Sequence, residues 1–151
     1  MSPAPQAETL DFMLTQVCKL HRSRAHTLLE ELGLYHGQPP MLFALWAQDG
    51  QTHTELAARL HIQPATMSKM VQRMEHAGFV GRRDDPEDQR VSRVFLTDTG
   101  RAIKENVHQV WRTLEDETFA GFTLEEHVLL RRFLLQMREN LLRVNDCKSV
   151  C

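Results

Sequence analysis

The hydrophobic period of the chain changes at Gly78, and this change restricts the fold to a mixed helix and strand arrangement. Before Gly78, apolar residues recur every three or four positions, which indicates helices. After it, Val94 and Leu96 alternate with Arg93 and Phe95, which is typical of a strand. We therefore predict two short helices followed by a two-stranded hairpin over 79–84 and 91–97, with a polar tip.

Capping residues and glycines predict six helices in total. Thr52 with Glu55 and Thr123 with Glu126 match capping boxes, in which side chains and backbone N–H groups bond reciprocally at a helix start. Pro64 is suited to a first helical turn. The predicted helices cover roughly 10–32, 39–49, 53–60, 64–77, 98–114 and 124–142, so the fold class is mainly α with a small β-hairpin (α+β).

The last helix carries a wider apolar surface than one core-facing stripe requires. Its apolar residues include Leu130, Phe133, Leu134, Met137 and Leu141. Two interpretations stay open, namely a helix that packs against a second subunit and a terminal helix fully buried in its own chain.

Composition excludes several classes of protein. With 151 residues, 42% hydrophobic and 25% charged, the chain is expected to form one soluble domain. Its apolar runs are too short to cross a bilayer, and residues 1–8 are expected to be a disordered tail rather than a signal peptide. Three cysteines without framework spacing suit a reducing compartment. We expect a cytoplasmic protein with no membrane partner and no cofactor or metal.

The charge is distributed unevenly along the chain. Between Arg59 and Arg83 there are five basic residues and one acid, which leaves −6 for the rest of a chain of net charge −2. A basic centre between acidic ends is expected of a local polyanion site. Two short helices followed by a basic hairpin also have the outline of a winged helix-turn-helix.

The helix from Pro64 to Ala77 supports this interpretation. At about 100° per residue its apolar residues lie on one side. The opposite side lacks a carboxylate near its middle, as a helix in the major groove requires. It carries Thr66, Ser68, Lys69, Gln72 and Arg73. A purely solvated face is the alternative.

The hairpin carries four arginines, Arg82, Arg83, Arg90 and Arg93, which suit phosphate contact or a narrow minor groove. Asp84, Asp85, Glu87 and Asp88 lie among them, so a salt-bridged turn is the alternative. We expect a mixture, in which Asp88 holds Arg90 in position.

Three segments resemble the multiple-antibiotic-resistance regulator (MarR) family. Thr66–Val80 is similar to its recognition helix, Asp85–Arg90 with Val94–Thr97 and Gly100 to its wing and next helix, and Thr54–Leu60 to its first helix-turn-helix helix. The likeness covers Gln38 to Lys104 in order.

The resemblance implies a homodimeric DNA-binding regulator, most simply a repressor, on a pseudo-palindromic double-stranded operator. It implies dimerisation helices in 9–34 and 106–146 and a winged helix-turn-helix domain in 38–104. Arg90 would enter the minor groove. The DNA-binding residues it implies are Thr66, Ser68, Lys69, Gln72, Arg73, Arg82, Asp88 and Arg90.

The resemblance also implies release by a small amphipathic, often phenolic, effector bound between the first, second and fifth helices. The candidate lining residues are Cys18, His21, Arg24, Met41, Trp46 and Trp111, although the last three are also suited to plain core positions. A redox-sensing regulator using Cys18, or Cys147 with Cys151, and a protein-binding winged-helix module are the alternatives. The chain carries no catalytic motif, so we do not expect an enzyme.

Overall fold

The computed structural model describes residues 9–35 and 37–146, with the side chain of the last residue left out. The predicted tail over 1–8 and two of the cysteines, Cys147 and Cys151, lie outside the described residues. In chain order the described part forms α1 (Leu10–Glu30), α2 (Gln38–Ala47), β1 (Gln51–Thr52), α3 (His53–Leu60), α4 (Pro64–His76), β2 (Val80–Asp84), β3 (Ser92–Leu96), α5 (Asp98–Ala102), α6 (Lys104–Thr118) and α7 (Leu124–Asp146).

The helix starts follow the predicted capping chemistry. The Thr52 hydroxyl accepts a hydrogen bond from the Glu55 backbone N–H at 3.1 Å, and the Glu55 carboxylate accepts one from the Thr52 N–H at 2.9 Å. The same reciprocal pair joins Thr123 and Glu126 at the start of α7. Helix α4 begins with Pro64, which needs no hydrogen bond at that position.

The sheet is antiparallel with the strand order β1-β3-β2. The predicted hairpin of β2 and β3 is confirmed, with Arg82 opposite Val94. The sequence misses β1, which pairs Gln51 with Val94 on the other edge of β3. Two residues are too few to produce a visible alternation, so only the tertiary fold reveals this strand.

The predicted fifth helix is interrupted once. Ile103 separates α5 from α6, although its backbone stays right-handed (φ −73°, ψ −10°) and its carbonyl still accepts from Val107. Gly100 lies three residues before the break and is not at it, so the sequence pattern does not indicate an interruption at Ile103.

Close contact explains Gly100 in α5. A Cβ at this position would lie 2.1 Å from the carbonyl oxygen of Phe79, so no larger residue fits without a shift. The carbonyl of Gly100 accepts the indole N–H of Trp46 at 2.9 Å. These contacts fix α5 against the residue that precedes β2 and against α2.

The chain divides into two compact units, Met1–Leu114 and Glu115–Cys151. The buried apolar core of the described residues extends from Ala25 to Leu114, and thus lies in the first unit. In the second unit, no described side chain of α7 is buried. Within the part of the chain that the structure describes, no helix is long and apolar enough to cross a membrane.

Candidate nucleic-acid interface

Helix α4 has two chemically different sides. Met67, Val71 and Met74 are fully buried in the core of the first unit, which fixes the rotation of the helix about its axis. The predicted reading residues all lie exposed on the other side: Thr66, Ser68, Lys69, Gln72 and Arg73. The predicted division of the helix surface is therefore present in the fold. Whether these side chains contact DNA stays a prediction.

The turn that precedes α4 holds it rigidly to α3. His61 takes the left-handed conformation (φ 52°), and the Ile62 N–H donates to the Ala57 carbonyl at 2.9 Å. Such a left-handed residue ends a helix and satisfies its last carbonyls. Because Leu56 and Ala57 of α3 are also buried, α3 supports the inner side of α4 and leaves the outer side open.

Asp88 organises the tip of the β2–β3 hairpin, which we call the wing. Its carboxylate accepts the backbone N–H of Arg90 at 3.0 Å, and its carbonyl accepts the N–H of Val91 at 2.9 Å. Asp88 therefore positions Arg90 through the backbone, and the Arg90 side chain is exposed. The sequence predicts a positioning role for Asp88, and in the structure the Asp88 carboxylate bonds to the backbone of Arg90.

The other wing arginines already have contacts within the fold. The guanidinium of Arg82 lies 2.9 Å from the Glu75 carboxylate on α4. Arg93 donates to Asp85 at 2.6 Å and to the Gly50 carbonyl at 2.9 Å, while Arg83 lies over the Phe95 ring at 4.9 Å. The salt-bridged turn is therefore present at Arg93. Arg90 is exposed, and its contact with DNA stays a prediction.

Hydrogen bonds at the wing base hold Asp85 ionised. The Glu87 backbone N–H donates to its carboxylate, and this bond, followed by the one from Arg93, lowers the pKa of Asp85 below its usual value. The same ion pair raises the pKa of Arg93. The wing therefore keeps its shape through a charged pair that is separate from Arg90.

The candidate effector residues fall into three environments. Trp46 and Trp111 are partly buried and meet in an aromatic cluster with Phe43, whose ring centroid lies 5.3 Å from that of Trp46 and 6.4 Å from that of Trp111. Met41 is fully buried, which fits its alternative interpretation as a core residue. On α1, the candidates are exposed: Cys18, His21 and Arg24.

Sequence patterns do not reveal a partly buried histidine next to the wing. The Nε2 atom of His53 is buried and has no hydrogen-bond partner among the described residues. Burial lowers the pKa of His53, the Arg82 charge lowers it further, and Glu75 opposes both effects. A neutral His53 is therefore favoured beside the Glu75–Arg82 pair.

The described residues include no group of three or more His, Cys, Asp or Glu side chains that could hold a metal ion. The exposed side of α4 carries hydroxyl, amide, ammonium and guanidinium groups, and the wing adds the exposed guanidinium of Arg90. Such groups bond to base edges and phosphates.

Comparison with known proteins identifies similar chains. The MarR family signature matches residues 34–92. The HTH-type transcriptional regulator TtmR of Methylorubrum extorquens is 31% identical over 84% of this chain and 68% of its own length. The HTH-type transcriptional repressor IacR of Pseudomonas putida is 27% identical over 86% of this chain and 78% of its own.

A solved structure extends the similarity to the fold. A crystal structure of MarR superposes with a TM-score of 0.72 at 28% identity, covering 89% of this chain and 98% of that one.

Proposed function

This chain belongs to the MarR family of transcriptional regulators. We propose that it is a homodimeric transcriptional repressor that binds double-stranded DNA and that a small molecule releases it from the DNA. DNA-binding regulation follows from the family. The dimer, the sign of regulation and the release mechanism are the proposal. The Pseudomonas putida relative IacR supports repression, since that protein is a transcriptional repressor.

The observation that carries the proposal is the exposed side of α4. Five hydrogen-bonding residues cover it, and its one acid, Glu75, is partly buried and paired with Arg82. Lys69 can donate to guanine and Gln72 can form two bonds with adenine, whereas hydroxyls serve bases or phosphates. Arg90 has an exposed side chain and a backbone N–H bonded to Asp88, and its guanidinium suits the neighbouring minor groove.

Two exposed apolar surfaces support the homodimer. On α7, large apolar side chains are roughly half exposed in the single chain, including Phe133 at 49% and Leu141 at 58%. On α1, Val17 is 54% exposed and Leu20 is 70% exposed. Contiguous apolar surface of this kind marks an association site. A second copy of the chain would cover both surfaces and present α4 twice.

Fluorescence anisotropy with a labelled duplex, selected by the protein from a random-sequence pool, tests the DNA-reading surface. Lys69→Glu places a carboxylate in the middle of this side and is expected to abolish specific binding. Lys104→Glu makes the same charge change at the exposed start of α6 and is expected to leave the affinity near the parent value. Equal affinities for both variants, or no selection of any duplex, would refute the proposed function.

The aromatic cluster of Phe43, Trp46, His108 and Trp111 supports the effector site, since aromatic walls suit a small phenolic anion. Both tryptophans of the chain belong to this cluster, so their fluorescence reports on binding there. Salicylate is expected to quench this fluorescence and to release heat in isothermal titration. If millimolar salicylate produces neither quenching nor heat, salicylate-like ligands are excluded as effectors.

A further inference from the structure

A groove beside the exposed side of α4 contains a residue that neither the sequence patterns nor the family assignment singles out. Tyr35 lies in the connection between α1 and α2 and is 62% exposed. It lines the groove, of about 850 Å³, together with Thr66, Lys69, Gln72, Arg73 and His76. The groove therefore continues the DNA-reading surface of α4 onto a second part of the chain.

The backbone of Tyr35 is fixed although its side chain is exposed. The buried side chain of Gln38 accepts the Tyr35 N–H at 2.8 Å, and the Gln38 N–H donates to the Tyr35 carbonyl at 3.1 Å. Leu34, the preceding residue, is fully buried. These contacts fix the backbone of Tyr35 next to α4.

The chemistry of the groove suits a phosphodiester. Its described lining has two cationic side chains, Lys69 and Arg73, and no carboxylate. A phenol O–H is a neutral donor that bonds well to an anionic oxygen. When a helix enters the major groove, side chains beside it meet the sugar-phosphate backbone.

We propose that Tyr35, with Arg73, binds the DNA backbone beside the recognition helix and that the Tyr35 hydroxyl donates to a phosphate oxygen. This inference rests on the proposed function, because it requires α4 to face the major groove. It adds a contact from outside the helix-turn-helix segment. The contact fixes how α4 is seated and does not read the sequence.

Tyr35→Phe removes only the hydroxyl and keeps the ring. It is expected to weaken binding to the selected duplex by about 10- to 100-fold, the effect of one hydrogen bond to a charged group. Because no charge is lost, the slope of log affinity against log salt should stay unchanged. A scrambled duplex should lose affinity by the same factor, and the melting temperature should not change. Thr27→Val, which removes an exposed hydroxyl on α1, serves as the control without effect.

Tyr35 is the only tyrosine of the chain, so 3-fluorotyrosine labelling gives a single ¹⁹F signal from this position. Saturating duplex is expected to shift that signal. Parental affinity of Tyr35→Phe, or an unmoved ¹⁹F signal at full saturation, overturns the inference while DNA binding itself persists. Failure of the parent protein to bind any duplex instead refutes the proposed function, so the two failures are distinguishable.

Discussion

Helices α4 and α7 are both amphipathic, but only α4 has its apolar side buried within the chain. α4 buries Met67, Val71 and Met74 against its own fold and exposes a polar side. α7 leaves its apolar residues exposed along its length, with only Leu130 and Met137 partly covered. In α4 the polar side is thus available for a ligand, whereas in α7 the exposed apolar side is the surface that we propose a second copy of the chain covers.

The largest expected effect comes from adding charge to α7. Phe133→Glu with Leu141→Glu should convert a dimer of twice 17.5 kDa into a folded monomer, because neither side chain is buried within its own chain. Loss of the second half-site should weaken operator binding by about 100-fold or more. Light scattering after size exclusion and anisotropy measure both effects. Gln136→Glu, on the polar side of the helix, is the matched control, and an unchanged mass for the double variant would contradict the role given to α7.

Truncating the buried side of α4 should lower stability in the single chain. Met74→Ala is expected to reduce the free energy of unfolding by about 2–5 kcal/mol, since it removes a fully buried side chain and leaves a cavity. Leu124→Ala on α7 removes a side chain that is 81% exposed and should cost less than about 0.5 kcal/mol. Urea titrations compare the two variants, and similar losses would remove the contrast between the helices.

Gln72→Ala tests whether the polar side of α4 reads sequence. The variant should lose about 1–3 kcal/mol of binding free energy for the duplex with the cognate base. Its affinity for duplexes with another base at that position should stay nearly unchanged. Competition between the selected duplex and single-base variants measures this preference. An equal loss of affinity for all duplexes would indicate that Gln72 contacts phosphates and does not read a base.

Arg90→Ala should weaken binding to every duplex and flatten the salt dependence. Each lost phosphate contact lowers the slope of log affinity against log salt by about 1. The control is Arg83→Ala, because Arg83 lies over the Phe95 ring on the same wing. An anisotropy salt series in which both variants keep the parental slope would exclude Arg90 as a phosphate ligand.

The smallest effect concerns the wing base at acid pH. Because the pKa of Asp85 is lowered in the folded state, its ionised form adds stability that is present above the unfolded-state pKa. That stability is lost as the pH falls through the lower folded-state pKa. Asp85→Asn should therefore melt at a lower temperature than the parent at pH 6. At pH 2–3 the difference between the two melting temperatures should be smaller. A constant difference over this range would show that the carboxylate charge is irrelevant.

The sequence predicts most helices, the hairpin and the two sides of α4, because these features depend on local periodicity and capping. It misses β1, whose only signal is its pairing with Val94. Apart from the pairing of Asp88 with Arg90, it does not assign partners among the charges of the wing. Only the fold brings Arg93 to Asp85 and Gly50.

The groove at Tyr35 was similarly hidden, since it depends on how the α1–α2 connection folds back onto α4. The exposure of α7 could be anticipated only as one of two alternatives. A wide apolar surface is equally suited to burial in its own chain and to a partner. The described part of α7 has no buried side chain, and its association with a second copy stays a proposal.

Hydroxyl-radical footprinting of the selected duplex tests the central claim most directly, namely that two copies of the chain each place the polar side of α4 in a major groove. We predict two symmetric protected patches whose centres lie about one helical turn, ~34 Å, apart. Lys69→Glu should abolish both patches together. A single protected patch, or two patches that persist in Lys69→Glu, would contradict the account.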